Sequence, residues 1–337
     1  MVSDTKKALC DFAFPGELSS DIIMSMRKNK IHGCHYILVK DDMDVHGSST
    51  VGTIDGKEVL KVEDVFPLVA NAQIIRLMAL HKALQSNGYD FSTPIKQIIP
   101  ELVMVEEGVA DEINCSDLAA HMSGLHRISA LQDKNIRRDN IITQLQSIQP
   151  VHSFRSTYHQ SDIAEPIFEL IIERLSKKDY VAFIREEIFG SLKLKYSTIS
   201  EDDEQRTIIK SNGRDMLKLL MCLPESPIYE HLFKIYKSNI EYPLVDSTQQ
   251  ASGCLSLIKI SNNGIDSYEN FSIGNGYADL YVDLKEHKAR LAVLCKYPEA
   301  GGKERCQEFV SWMRGRLINH LVGLSERAEE LVSDTSD

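Results

Sequence analysis

Residues 65–88 read VFPLVANAQIIRLMALHKALQSNG, and this stretch decides how the rest of the chain is parsed. From Phe66 onward, Ile74, Leu77, Met78, Leu80, Ala83 and Leu84 recur at helical spacing, and Gly88 supplies the residue type that closes a helix. Upstream, residues 17–30 predict an opening helix: Glu17 and Asp21 stand near its start, and Arg27, Lys28 and Lys30 near its end, as the helix dipole favours. HYILVK (35–40) predicts a short strand, and HGSSTVGTIDG (46–56) a turn-rich stretch leading to a second one.

Downstream, residues 114–121 predict another helix start, capped by Asn114 or Ser116. Residues 161–176 and 179–190 predict two helices with Ile, Leu and Phe on one face. MLKLLMCL (216–223) extends the helical block until Pro224 and Pro227 end it. After residue 250 the character changes. CLSLIKIS (254–261), YENFSIG (268–274), ADLYVDL (278–284) and RLAVLCKY (290–297) are short β-patterned runs between polar turns. A last helix is expected from about Lys303 to Leu324, carrying Trp312, before a polar tail expected to fray. The order predicts an α+β fold: an antiparallel sheet flanked by helices, from residues 1–66 and 240–325, interrupted by an inserted all-helical domain over 67–239, with a tail at 326–337.

Composition narrows the function classes. The formal charge of −11 argues against a nucleic-acid partner, because phosphate contacts need a concentrated basic surface. No stretch approaches eighteen apolar residues, so no membrane span is expected, and no secretory h-region is visible at the start. Cys10, Cys34, Cys115, Cys222, Cys254, Cys295 and Cys306 are odd in number and scattered, without a C-x-x-C pair. That pattern predicts reduced thiols in the cytoplasm rather than a disulfide framework or a metal site, and no cofactor is expected.

Five ordered segments carry a family resemblance. Residues 65–88 are similar to the helix that follows a Ser-x-x-Lys element in the serine β-lactamase and penicillin-binding-protein family. CSDLAAHMSGL (115–125) resembles that family's LLSHTSGL segment. Residues 153–194, from SFRSTYHQSD to SLKL, resemble the stretch in which a Tyr-x-Asn element precedes two helices. SNGRDMLKLL (211–220) resembles a STARDMAKLL helix, and residues 269–297 resemble the hairpin carrying a Lys/His-Thr-Gly element. The resemblance implies a β-lactamase/transpeptidase-like fold.

In that family the serine attacks a carbonyl, a lysine three residues on takes its proton, and the tyrosine helps relay it. The resemblance places Asn71 at the serine position and Ile74 at the lysine position, in A-N-A-Q-I (70–74). An amide is no nucleophile and isoleucine accepts no proton. The second element keeps Tyr158 but has Gln160 in its third position. The third aligns as Ser272-Ile273-Gly274, where only the glycine survives. Two chance matches carry little: Ser25-Met26-Arg27-Lys28 precedes the first strand, and Tyr268-Glu269-Asn270 lies in the β-patterned region.

The expected chain is therefore a β-lactamase-like protein without serine hydrolase chemistry, a pseudoenzyme that keeps a small-molecule pocket. Asn71, Gln73, Ile74, Tyr158, Gln160, Ser272 and Gly274 are the expected pocket residues, and a small molecule is the expected ligand. Tyr158 and His159 are the acid–base candidates by position. They leave open a non-hydrolytic tailoring enzyme of secondary metabolism (an isomerase, cyclase or lyase), and a residual esterase or acyltransferase is a further alternative. His121 is expected to pack within the HMSGL turn.

Overall fold

The structure is a computed structural model that describes residues 16–43, 45–54, 56–128, 131, 136–202, 206–241, 249–262, 264–274, 276–299 and 301–334. The chain forms two compact units. One comprises residues 1–70, 210–222 and 271–337, and the other residues 71–209 and 223–270.

The first unit is built on strand β1 (Gly33–Lys40), whose eight residues are all buried. It pairs antiparallel with β2 (Val45–Ile54), so that Ile37 lies opposite Ser48. β2 in turn holds the two-residue β3 (Glu58–Val59). A second short strand, β4 (Phe66–Pro67), pairs antiparallel outside this sheet with residues 210–211 of a later strand. On the other flank of β1 the partners come from the C-terminal third of the chain, a hairpin of a 277–284 strand and a 289–296 strand. Near-continuous apolar runs in these central strands match burial on both faces.

Several buried polar groups in this core have defined partners. The His35 ring donates from Nε2 to the Asp64 carbonyl at 2.9 Å and accepts at Nδ1 from Thr50 Oγ1 at 2.9 Å. Burial drops the pKa of this imidazole to about 4, so the ring is neutral near pH 7. Lys40 Nζ donates to the His287 carbonyl at 2.8 Å and also meets Asp42. The buried Arg290 guanidinium pairs with Asp41 at 2.6 Å and donates to the Leu220 carbonyl at 2.8 Å. The Cys34 and Cys295 sulfurs lie 3.6 Å apart as free thiols on directly opposed residues.

The second unit holds most of the helices. The opening helix α1 (Gly16–Asn29) belongs to the first unit, and α2 (Ala70–Gln85) runs from the end of the first into the second. Within the second unit follow α3 (Val109–Glu112), α4 (Cys115–Ala119), α5 (Ile141–Leu145), α6 (Ala164–Ser176) and α7 (Tyr180–Phe183). α7 continues into a π-helical turn over Ile184–Gly190. The start of α4 is a capping box: Asn114 Oδ1 accepts from Asp117 N at 3.0 Å, and Asp117 Oδ2 accepts from Asn114 N at 3.1 Å. Of the two caps expected, Asn114 is the one used.

The remaining strands are β5 (Thr198–Glu201), β6 (Thr207–Ser211), β7 (Lys237–Ser238), β8 (Gln250–Gly253), β9 (Ile258–Asn262), β10 (Ile265–Gly274), β11 (Tyr277–Leu284) and β12 (Ala289–Lys296). β7, β8, β9 and the first half of β10 form an antiparallel set in the second unit. Helix α8 (Gly213–Cys222) packs on β1, β2 and β12, and α9 (Lys303–Asp334) packs on α1, β11 and β12.

Four expectations need correction. Residues 46–54 form strand β2 rather than a turn, because full antiparallel pairing with β1 supplies the order their own composition lacks. The helix expected from Phe66 begins at Ala70, because Phe66 and Pro67 pair with Ser211 and Lys210. The division also differs: 210–222 joins the first unit through α8, and 223–270 brings strands into a second unit that is not all-helical. Finally, helix α9 extends through 326–334, where a frayed tail was expected, and residues 335–337 lie outside the described residues. The tail's Glu, Arg, Ala and Leu residues are good helix formers and carry the helix on. Among the described residues no helix is long and apolar enough to cross a membrane.

Candidate functional site

Helix α2 starts under the control of one carboxylate. Asp279, on β11, accepts from the backbone N–H groups of Val69 and Ala70 at 3.0 and 2.8 Å. A carboxylate at this end satisfies donors that have no partner within the helix and complements its dipole. The first turn then presents Asn71 at 0% exposure and Ile74 at 1%.

Gln73 and Arg76 turn toward α6. Gln73 Nε2 donates to Glu165 Oε1 at 2.6 Å, and Arg76 approaches the same carboxylate at 3.2 Å and the Thr207 carbonyl at 3.3 Å. Glu169, one turn further along α6, accepts from the Thr207 hydroxyl and from Arg138 at 3.3 Å. Arg138 also reaches Glu173 at 3.2 Å and Glu201 at 3.0 Å. Burial pushes the Glu169 carboxyl up to about 7 against the pull of the Thr207 hydroxyl, Arg76 and Arg138. Burial opposes the charge on Arg76, yet Glu165, Tyr180 and Glu169 more than offset it and raise its pKa. This network, buried at Arg76 and Glu169 and half-exposed elsewhere, links α2 to α6.

Around Tyr158 the setting is apolar. The ring packs against buried Ala251, Ile258 and Ile260 together with Ile240. A Cβ on Gly253 would stand 2.8 Å from Tyr158 Cδ2, so this approach requires glycine. His121, left-handed at φ 58°, meets Tyr158 edge-on with ring centroids 5.5 Å apart. Its Nδ1 accepts from Ser161 N at 3.3 Å. Burial foremost, then Arg127, lowers the His121 pKa to about 4, and burial raises the Tyr158 phenol above its ordinary range. Near pH 7 this is a neutral imidazole beside a protonated phenol.

His159 points elsewhere. Its ring centroid lies 5.3 Å from that of His152 and 6.4 Å from that of His126, and burial together with these two neighbours lowers its pKa. Gln160 is exposed and its carbonyl accepts from Arg127 Nε at 3.1 Å. Ser272 and Gly274 are half-buried at the end of β10, in the first unit, and a methyl on Gly274 would meet nothing within 4 Å.

A profile of the β-lactamase domain matches residues 38–234, more than half of the chain. The chain belongs to the β-lactamase family. The β-lactamase/D-alanine carboxypeptidase of Yersinia pestis, solved with citrate, is similar at a TM-score of 0.73 and 14% identity, over 92% of this chain and 100% of that one. The octameric penicillin-binding protein homologue of Pyrococcus abyssi is similar at a TM-score of 0.70 and 16% identity, over 89% and 77%. The D-amino acid amidase of Ochrobactrum anthropi, solved with L-phenylalanine, is similar at a TM-score of 0.70 and 16% identity, over 92% and 100%. At such identities the likeness is one of fold. No curated protein matches the chain in sequence.

In this β-lactamase-family chain the expected site residues divide. Asn71, Gln73 and Ile74 share the first turn of α2, but Asn71 and Ile74 are buried and Gln73 is held by Glu165. Tyr158 faces His121 rather than pairing with His159, whose ring joins the other two histidines. Two clefts open in the second unit, of about 560 Å³ around Arg174 and Lys177 and about 480 Å³ around Phe189 and Leu194. None of the seven expected pocket residues lines either one. The Arg76, Arg138, Glu165 and Glu169 network escaped the sequence reading. The signal was there: Glu165, Glu169 and Glu173 repeat every four residues along one face of α6.

Proposed function

We propose that this chain is a β-lactamase-family pseudoenzyme that has no serine hydrolase chemistry and keeps the fold as a binding or scaffold module. The observation that carries the reading is the first turn of α2, where Asn71 and Ile74 occupy the positions that the family resemblance assigns to nucleophile and base. Both side chains are buried, at 0% and 1% exposure, and neither offers a hydroxyl or an amine. Loss of a nucleophilic serine or its base elsewhere costs on the order of 10⁶ in turnover, and both are replaced here.

Tyr158 supports the same reading. It packs against the cluster of Ala251, Ile258 and Ile260, and its neighbour His121 accepts from Ser161 N, contacts that suit a role in packing the second unit. The described cysteines are free thiols, which fits residence in the reducing cytoplasm. Steady-state assays of the purified chain with nitrocefin and p-nitrophenyl acetate test the proposal. Rates equal to those of heat-denatured protein are expected. Saturable turnover well above that control overturns it.

A further inference from the structure

The smaller of the two clefts has a construction that serves no purpose in the reading above. It is lined by Arg185, Phe189, Gly190, Lys193, Leu194, Lys195, Ser197 and Thr198, all within the second unit. Its floor is made by the ending of the helix that begins at Tyr180. Lys193 N donates to the Gly190 carbonyl at 3.2 Å and Leu194 N to the Phe189 carbonyl at 2.8 Å, the paired bonds of a Schellman ending. That motif brings the residue after the turn against the residue that accepts its bond. Here these are Leu194 and Phe189, both buried and both in the cleft lining.

The turn residue is one of eight left-handed non-glycine residues among the described residues. Lys193 has φ 55°, a left-handed conformation that glycine adopts freely and that a side chain disfavours. Strained residues of this kind cluster at ligand and active sites, and this one lies in a cleft lining. The π-helical turn over Ile184–Gly190 is another feature enriched at functional sites, and it contributes Arg185, Phe189 and Gly190 to the cleft.

Charge completes the picture. Three of the eight lining residues are cations and none is acidic, on a chain whose net charge is −11. Glu186 and Glu187, on the same helix, are engaged outside the lining: Lys178 meets them at 2.7 and 2.9 Å, and Lys82 meets Glu187 at 2.8 Å. The Arg185 guanidinium is fixed by donating from Nη2 to the Ile199 carbonyl at 2.8 Å, and a guanidinium has five N–H donors in all. The volume of about 480 Å³ falls within the roughly 300–1,000 Å³ of small-molecule sites.

We propose that this cleft binds an amphipathic monocarboxylate, a fatty-acid-like anion. Its chain lies on Phe189 and Leu194, and its carboxylate meets Arg185, Lys193 and Lys195. The apolar floor selects against small hydrophilic anions, and the cationic rim selects against neutral or cationic amphiphiles.

Isothermal titration of the full chain with dodecanoate at low salt tests this, with dodecanol, dodecyltrimethylammonium and acetate as comparison ligands. Saturable one-to-one binding of dodecanoate is expected, at least tenfold tighter than that of any comparison ligand. In Lys193→Gly with Lys195→Gln the dodecanoate affinity should fall at least tenfold. Lys193→Gly alone relieves the left-handed strain, so its thermal midpoint should equal or exceed the parent's while its dodecanoate affinity drops. That pairing separates loss of the site from loss of the fold. No binding by the parent, equal binding of dodecyltrimethylammonium, or undiminished affinity in the double variant each overturns the proposal.

Discussion

The carboxylate of Asp279 on β11 holds the backbone N–H groups of Val69 and Ala70 at 3.0 and 2.8 Å, and so fixes where helix α2 begins. The chain thereby ties a residue near its C-terminus to the turn that immediately precedes Asn71. Asp279 is 1% exposed, so both bonds are made away from water, where unpaired donors are expensive.

Replacing Asp279 with alanine should therefore destabilise the protein by about 2–4 kcal/mol, combining a lost cap with buried donors left unmade. Asp279→Asn keeps an acceptor and should lose less than half as much. Urea unfolding followed by circular dichroism measures both. Equal stability of the alanine variant and the parent would contradict the capping role.

Gly253 and Tyr158 make a second prediction. A methyl at 253 would sit 2.8 Å from the Tyr158 ring, so Gly253→Ala should cost about 1–3 kcal/mol through overpacking. Adding Tyr158→Ala should make the glycine substitution nearly neutral, because the clash disappears. A double-mutant cycle by chemical denaturation reads the coupling. Additive effects would show that the two residues are not in contact.

The buried Glu169 gives a pH dependence of defined sign. Its folded pKa of about 7 lies above the ordinary carboxyl value of 4.5, so the folded state holds its proton longer than the unfolded state. Its contribution to stability is present in full below about pH 4.5 and is lost as pH rises through 7, with a slope of at most about 1.4 kcal/mol per unit. His35 and His121, both lowered to about 4, act oppositely and add stability as pH rises from 4 toward 6.5. The difference between the parent and Glu169→Gln isolates the carboxyl, since the histidines cancel. That difference should fall between pH 4.5 and 7 and level off above 8; a flat difference contradicts the account.

Much of this architecture is visible in the residues themselves, and the parts that are not have identifiable causes. The hairpin of β11 and β12 announces itself because ADLYVDL and RLAVLCKY carry strand-forming residues on both faces. Strand β2 does not, because HGSSTVGTI is ordered by the ladder from β1 rather than by its own side chains. Helix α2 is plain from Ile74 to Leu84, but its start depends on Asp279, more than two hundred residues away. The proposed loss at Asn71 and Ile74 rests on the sequence alone, whereas the surroundings of these two residues were not legible there. Tyr158 looks like a proton relay in sequence, and the close approach of Gly253 to its ring, with the apolar cluster beside it, is visible only in the structure.

If the proposed reading holds, placing a serine and a lysine at positions 71 and 74 should not create hydrolase chemistry. In Asn71→Ser with Ile74→Lys, the lysine enters a position that is 1% exposed, where desolvation disfavours the ammonium form. The double variant should be less stable than its parent by about 2–5 kcal/mol, the range for severe core disruption, and should show no nitrocefin turnover above the heat-denatured control. Turnover well above that control would mean that the rest of a serine hydrolase site is intact.

The central claim, that no serine of this chain acts as a nucleophile, is tested most directly by covalent labelling of the unmodified protein. Incubation with a fluorophosphonate and, separately, with a fluorescent penicillin, followed by intact-mass spectrometry, reads the result in a single spectrum. The parent mass alone is predicted in both cases, because Asn71 stands where the attacking hydroxyl is needed. A stoichiometric adduct mapped to any serine would contradict it.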